Sequence, residues 1–207
     1  MKFLRMSRWV FLDALLLSLF SATQGTASNC EELTKPLILK DDNKSMIMGK
    51  WIFLEGIADH HLFTHILKTV NSSWIEFRPS AFENTVILSQ GNMLNGKCEF
   101  RSINTTVKDD SIYVIENETS TQGTFLPSCS DCITMSFISR FKNETIKSLY
   151  FFKRERNPNE FDLAMYWKQA ECLGFRRESQ YSYDGVTEFC RLDNESSSDL
   201  KNIEKSD

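Results

Sequence analysis

Gly49-Lys50-Trp51, running on into Ile52-Phe53-Leu54-Glu55-Gly56-Ile57, opens the part of the chain whose texture decides the fold. From Lys50 onward, short runs rich in β-branched and aromatic residues alternate with turn chemistry, as strands of an antiparallel sheet do. The runs predict strands over 50–57, 68–78, 85–90, 98–107, 111–116, 121–126, 133–140 and 148–154. Between them stand Arg78-Pro79, Asn95-Gly96, Asp109-Asp110, Pro127-Ser128 and Lys142-Asn143. Asn-Gly is the sharpest of these dividers, because both residues tolerate the positive φ of a type I′ hairpin turn. Eight short strands at this spacing fit a closed up-and-down barrel or a sandwich.

After Arg156 the period changes. Asn157-Pro158-Asn159-Glu160 offers a capping Asn, Pro at the first helical position and Glu at the third. Phe161, Ala164, Met165, Lys168 and Cys172 follow at helical spacing, and Gly174 is the stop. A helix of about four turns that follows eight strands has to lay its apolar side on the outside of the sheet. Beyond Cys190, residues 191–207 are polar and charged without periodicity and are expected to form a flexible tail.

Upstream, Lys2, Arg5 and Arg8 precede an apolar block, and Ala22, Gly25 and Ala27 offer small residues for cleavage. This is the layout of a secretory signal peptide over residues 1–27. The block is shorter than the roughly 20 residues a spanning helix needs, and Asp13 interrupts it, so no membrane anchor is expected. Taking away residues 1–27 leaves 21 basic and 27 acidic residues, a net charge of −6, against 24 and 28 in the whole chain. A mildly acidic chain without a basic run is a poor partner for nucleic acid. The remaining length makes one domain, over 28–190.

All six cysteines follow the signal: Cys30, Cys98, Cys129, Cys132, Cys172 and Cys190. In an exported chain an even count reads as three disulfides, with roughly 15 connectivities open. Six N-x-S/T sequons, at Asn43, Asn71, Asn104, Asn117, Asn143 and Asn194, suggest a glycan-covered surface.

Export signal, Gly-x-Trp on the first strand, eight strands and one closing helix together resemble the lipocalin family. Leu33-Thr34-Lys35-Pro36-Leu37, Met48-Gly49-Lys50-Trp51, Ala170-Glu171-Cys172-Leu173 and Phe189-Cys190 are similar to the α1-acid glycoprotein (orosomucoid) branch of that family. Ser128-Cys129-Ser130-Asp131-Cys132 and Lys168-Gln169-Ala170-Glu171-Cys172 look closer still to the fish lipocalins known as saxitoxin- and tetrodotoxin-binding proteins. Apolipoprotein M is a more distant likeness. The resemblance implies an all-β fold, an eight-stranded antiparallel up-and-down barrel with one C-terminal α-helix packed outside. It also implies pairing of Cys30 with Cys172 and of Cys98 with Cys190, which leaves Cys129 and Cys132 for a local bridge. Gly49 and Trp51 would close one end of the barrel, with Lys153 or Arg154 supplying a cation over the indole.

Such a barrel has room for one small ligand. Alternation along the strands points Phe53, Glu55 and Ile57 inward, then Ile75 and Phe77 on the second strand. On the fifth, either Tyr113 and Ile115 or Ile112 and Val114 face in, and on the last two Met135, Phe137, Leu149 and Phe151. A slip of one residue reverses each set. Glu55 and Arg101 are candidate polar contacts near the mouth, with Glu55 able to meet a cation.

His60, His61 and His65 cluster after the first strand. They lack the Glu of a His-Glu-x-x-His site and any third ligand, and are read as solvated loop side chains, so no metal or cofactor is expected. The pairing that the resemblance implies leaves no cysteine free, and no Ser-His-Asp or Gly-x-Ser-x-Gly pattern occurs, which argues against an enzyme. The sequence thus reads as a secreted, glycosylated, monomeric carrier of a small hydrophobic or amphiphilic ligand: a lipid, a steroid, a lipophilic amine or a toxin alkaloid. The rival reading is an extracellular immunomodulatory protein that acts through its surface and glycans.

Overall fold

A computed structural model describes residues 29–39, 44–116 and 118–191. The expected signal segment, most of the tail, and Asn43, Asn117 and Asn194 lie outside the described residues. Eight antiparallel strands follow one another: β1 (Gly49–Ala58), β2 (Val70–Pro79), β3 (Thr85–Leu94), β4 (Lys97–Lys108), β5 (Ser111–Glu116), β6 (Thr119–Leu126), β7 (Cys132–Phe141) and β8 (Glu144–Lys153). Each pairs with its neighbour, and β1 joins both β8 and β2, which closes the cylinder. A two-residue β9 (Tyr181–Ser182) adds to the far half of β1. Among the described residues no helix is long and apolar enough to cross a membrane.

The hairpins turn at residues with positive φ: Asn95 and Gly96 at 49° and 78° and Asp109 at 54°, types that tolerate it, and Lys142 at 53°, which the turn imposes on it. β1 enters at the closed end and leaves at the mouth, where the helix His61–Thr69 crosses to β2. This helix stands where the sequence pattern predicts a loop. Its His60 ring caps the helix by accepting from the Leu62 amide at 3.3 Å, and Leu67 is buried beneath it.

At the closed end Trp51 is buried and its indole N–H donates to the Ile47 carbonyl at 2.7 Å. Arg154, not Lys153, covers the ring, its guanidinium 3.4 Å from the centroid. The same guanidinium donates to the carbonyls of Met48 and Lys50, at 2.5 and 2.9 Å, so it fastens the start of β1 as it stacks.

Lys153 has another task. Its ammonium lies 2.6 Å from Asp162 and 3.3 Å from Asp131, nearly out of solvent. Asp162 is the third residue of the C-terminal helix Glu160–Cys172, whose N-cap is Asn159, and the two form a capping box. The cap therefore sits two residues later than Asn157. The buried face is also shifted: Tyr166, Gln169 and Ala170 pack inward, while Phe161 is 87% exposed. That face covers Leu54, Ile57, Leu126, Leu149 and Phe151 on the outside of the barrel.

Disulfides join Cys30 to Cys172, Cys98 to Cys190, and Cys129 to Cys132. The first two are separated by 142 and 92 residues along the chain. Loop-entropy models assign about 4–5 kcal/mol to closing loops of that order.

Candidate ligand-binding cavity

The cylinder is hollow. Its interior holds a cavity of about 320 Å³ that opens towards the helix His61–Thr69. Of the residues expected inside, Phe53, Ile75, Phe77, Met135 and Phe137 line it. These side chains meet from three strands, β1, β2 and β7, across one void.

The other expectations fail for identifiable reasons. A bulge between Phe53 and Glu55 shifts β1 by one residue, so Gly56 takes the inward place: a Cβ there would come within 2.5 Å of the Phe53 ring and 3.2 Å of Leu67. Glu55 instead accepts hydrogen bonds from the hydroxyls of Ser179 and Ser182, at 2.6 and 2.7 Å, and ties β9 to the barrel. Burial pushes its carboxyl above the usual range, and the two hydroxyls oppose that. Ile57 packs under the C-terminal helix. On β8 the parity is reversed: Ser148, Tyr150 and Phe152 line the cavity, while Leu149 and Phe151 pack under the C-terminal helix. The β7 register requires this, since Met135 faces Tyr150 and Phe137 faces Ser148 across the ladder. On β5 only Ile112 lines the cavity; Tyr113, Ile115 and Val114 do not. Arg101 is half-exposed and pairs with Glu116 of β5 across the part of β4 and β5 that is not hydrogen-bonded. It does not line the cavity.

Sequence reasoning missed the helix at the mouth. Phe63, Ile66 and Leu67 line the entrance from it, and Val70 from the start of β2. Their spacing of three and four was a legible helical signal. It also missed the polar lining, from Ser73, Gln90, Asn92, Thr121, Ser139 and Ser148. Single hydroxyls and amides carry no periodic signal.

The histidines do not converge on a metal. His60 pairs with Glu144 at 2.9 Å and its ring lies 4.3 Å from that of His61, while His61 and His65 are turned outward to solvent. Among the described residues one cluster offers three metal donors, Cys129, Cys132 and Asp162. Its two sulfurs are already bonded to each other, and its carboxylate to Lys153. All six cysteines are paired, which removes the thiol nucleophile a lumenal enzyme could use.

No family model matches the chain. It is similar to saxitoxin and tetrodotoxin-binding proteins 2 and 1 of Takifugu pardalis, at 28% and 29% identity over 181 and 182 residues, 78% of this chain. The chain spans less than half of those relatives, 44% of each. In three dimensions it matches the crystal structure of a dog lipocalin allergen with a TM-score of 0.58, covering 71% of this chain and 99% of that one at 15% identity. That likeness is one of fold: the closed eight-stranded barrel with a helix outside is the lipocalin architecture.

Proposed function

We infer that this chain, a lipocalin by fold, is a secreted, glycosylated carrier that takes a small hydrophobic or amphiphilic molecule into its barrel. The observation that carries the reading is the cavity itself. Protein interiors normally pack without voids, and this one keeps about 320 Å³ open behind a mouth, walled by Phe53, Phe77, Phe137 and Phe152. That volume lies within the roughly 300–1,000 Å³ of small-molecule sites. Burying an apolar tail there yields roughly 25 cal/mol per Å² removed from water. The toxin-binding names of the two Takifugu relatives are consistent with a cargo role. Export is supported by the signal-like residues 1–27 and by three disulfides, which persist in oxidising compartments. Asn71, Asn104 and Asn143 are exposed and open to glycan attachment.

Native mass spectrometry of protein purified from secreting cells tests the reading. A stoichiometric small molecule, released on unfolding, is the expected result. An empty barrel that refuses every lipid and steroid offered, in a protein that binds cell surfaces through its glycans, would replace the carrier with a surface-acting interaction protein.

A further inference from the structure

The cavity changes chemistry along its axis. In the closed half Phe53, Phe77, Ile112, Met135 and Phe152 leave only apolar surface. Nearer the mouth lies a polar step. The Ser73 hydroxyl donates to the Asn92 carboxamide oxygen at 2.6 Å, and the Thr121 and Ser139 hydroxyls share a hydrogen bond of 2.9 Å. On β8, Ser148 and Tyr150 add a hydroxyl and a phenol to the lining. Every one of these groups is neutral, and among the described residues the lining holds no Asp, Glu, Lys, Arg or His. Outside the lining, Arg101 is paired with Glu116, and His60 contacts Glu144.

A charged head group drawn to this step would leave water and meet no countercharge, which strongly disfavours it. A hydroxyl, ester or amide would meet groups that can both donate and accept. We propose that the cargo is an electrically neutral amphiphile, its tail in the closed half and its uncharged polar head at the Ser73–Asn92 and Thr121–Ser139 step. The lumen selects against carboxylates and against ammonium and guanidinium ions. This rests on the carrier reading and narrows it to one ligand class.

The test is displacement of a fluorescent aminoanthracene probe from the full chain at neutral pH by decanol, decanoate, decylamine and decylguanidinium. The tail is the same throughout. Decanol is expected to bind at least about tenfold tighter than each of the three ions. An ion that binds as tightly as decanol overturns the selection while leaving the carrier reading intact; a panel in which nothing displaces, and a probe that never binds, overturns both. Asn92→Asp supplies the missing charge at the step. It is expected to raise decylamine affinity by about tenfold and to lower that for decanol. Unchanged decylamine affinity in the folded variant would overturn the placement of the head group.

Discussion

Replacing Asp162 with alanine is expected to cost about 3–5 kcal/mol of folding stability, the range for removing one partner of a buried ion pair. Lys153 and Asp162 have side chains that are each 7% exposed, so the ammonium left behind cannot recover full hydration. Asp131, at 3.3 Å and 42% exposed, compensates only in part. The substitution also removes half of the capping box that starts the C-terminal helix. The hydrogen bond to Asp162 is the main cause that raises the Lys153 pKa above its usual value, against desolvation. A lysine raised in the folded state contributes stability that is complete below its unfolded pKa and lost as pH rises through the folded value. The wild type is therefore expected to keep this contribution at neutral pH and to lose it only under strongly alkaline conditions. Guanidinium unfolding checks the magnitude: the midpoint falls while the slope is unchanged. A loss below about 1 kcal/mol would mean that the pair behaves as a solvated surface bridge. Lys153→Met combined with Asp162→Leu is expected to recover most of the loss, because no charge is then stranded.

The second large effect concerns binding. Ser148→Trp places an indole in the cavity from β8, beside Phe137 in the ladder. Ser148 is almost fully buried, so the new ring has nowhere to go but the void. Displacing on the order of 100 Å² of apolar ligand contact removes roughly 2.5 kcal/mol. That corresponds to a loss in affinity approaching a hundredfold. Because the ring fills empty space and displaces no packed side chain, the thermal midpoint should stay within a few degrees of wild type. Binding isotherms and melting curves on the same preparation check both halves. A variant that melts normally and binds normally would show that the ligand lies elsewhere.

Much of the fold was legible because turns and strands obey local rules. Asn95-Gly96 and Asp109 announce positive φ through their own chemistry, whereas Lys142 adopts it without such a signal, and the β-branched and aromatic runs between the turns read as strands. What local rules could not supply was parity. On β1 a bulge inverts the alternation after Phe53, which turns Glu55 from a presumed ligand group into the anchor of β9. On β8 the inward set is dictated by pairing with β7, a long-range fact absent from either strand alone. The helix cap followed the same logic. Asn157-Pro158 satisfies the local pattern, but the reach of Lys153 to Asp162 fixes the start at Asn159. The choice between Lys153 and Arg154 over Trp51 was likewise decided by which cation the helix had already taken.

The account depends on an interior that admits a molecule, and two methionines report on it directly. Met135 is 1% exposed and lines the cavity; Met46 is 65% exposed, beside the closed end. In a protein with methyl-labelled methionine, titration with decanol should move the Met135 methyl resonance saturably, at one equivalent, and leave that of Met46 in place. A Met135 resonance that stays fixed at saturating decanol, or shifts confined to Met46, would contradict the account.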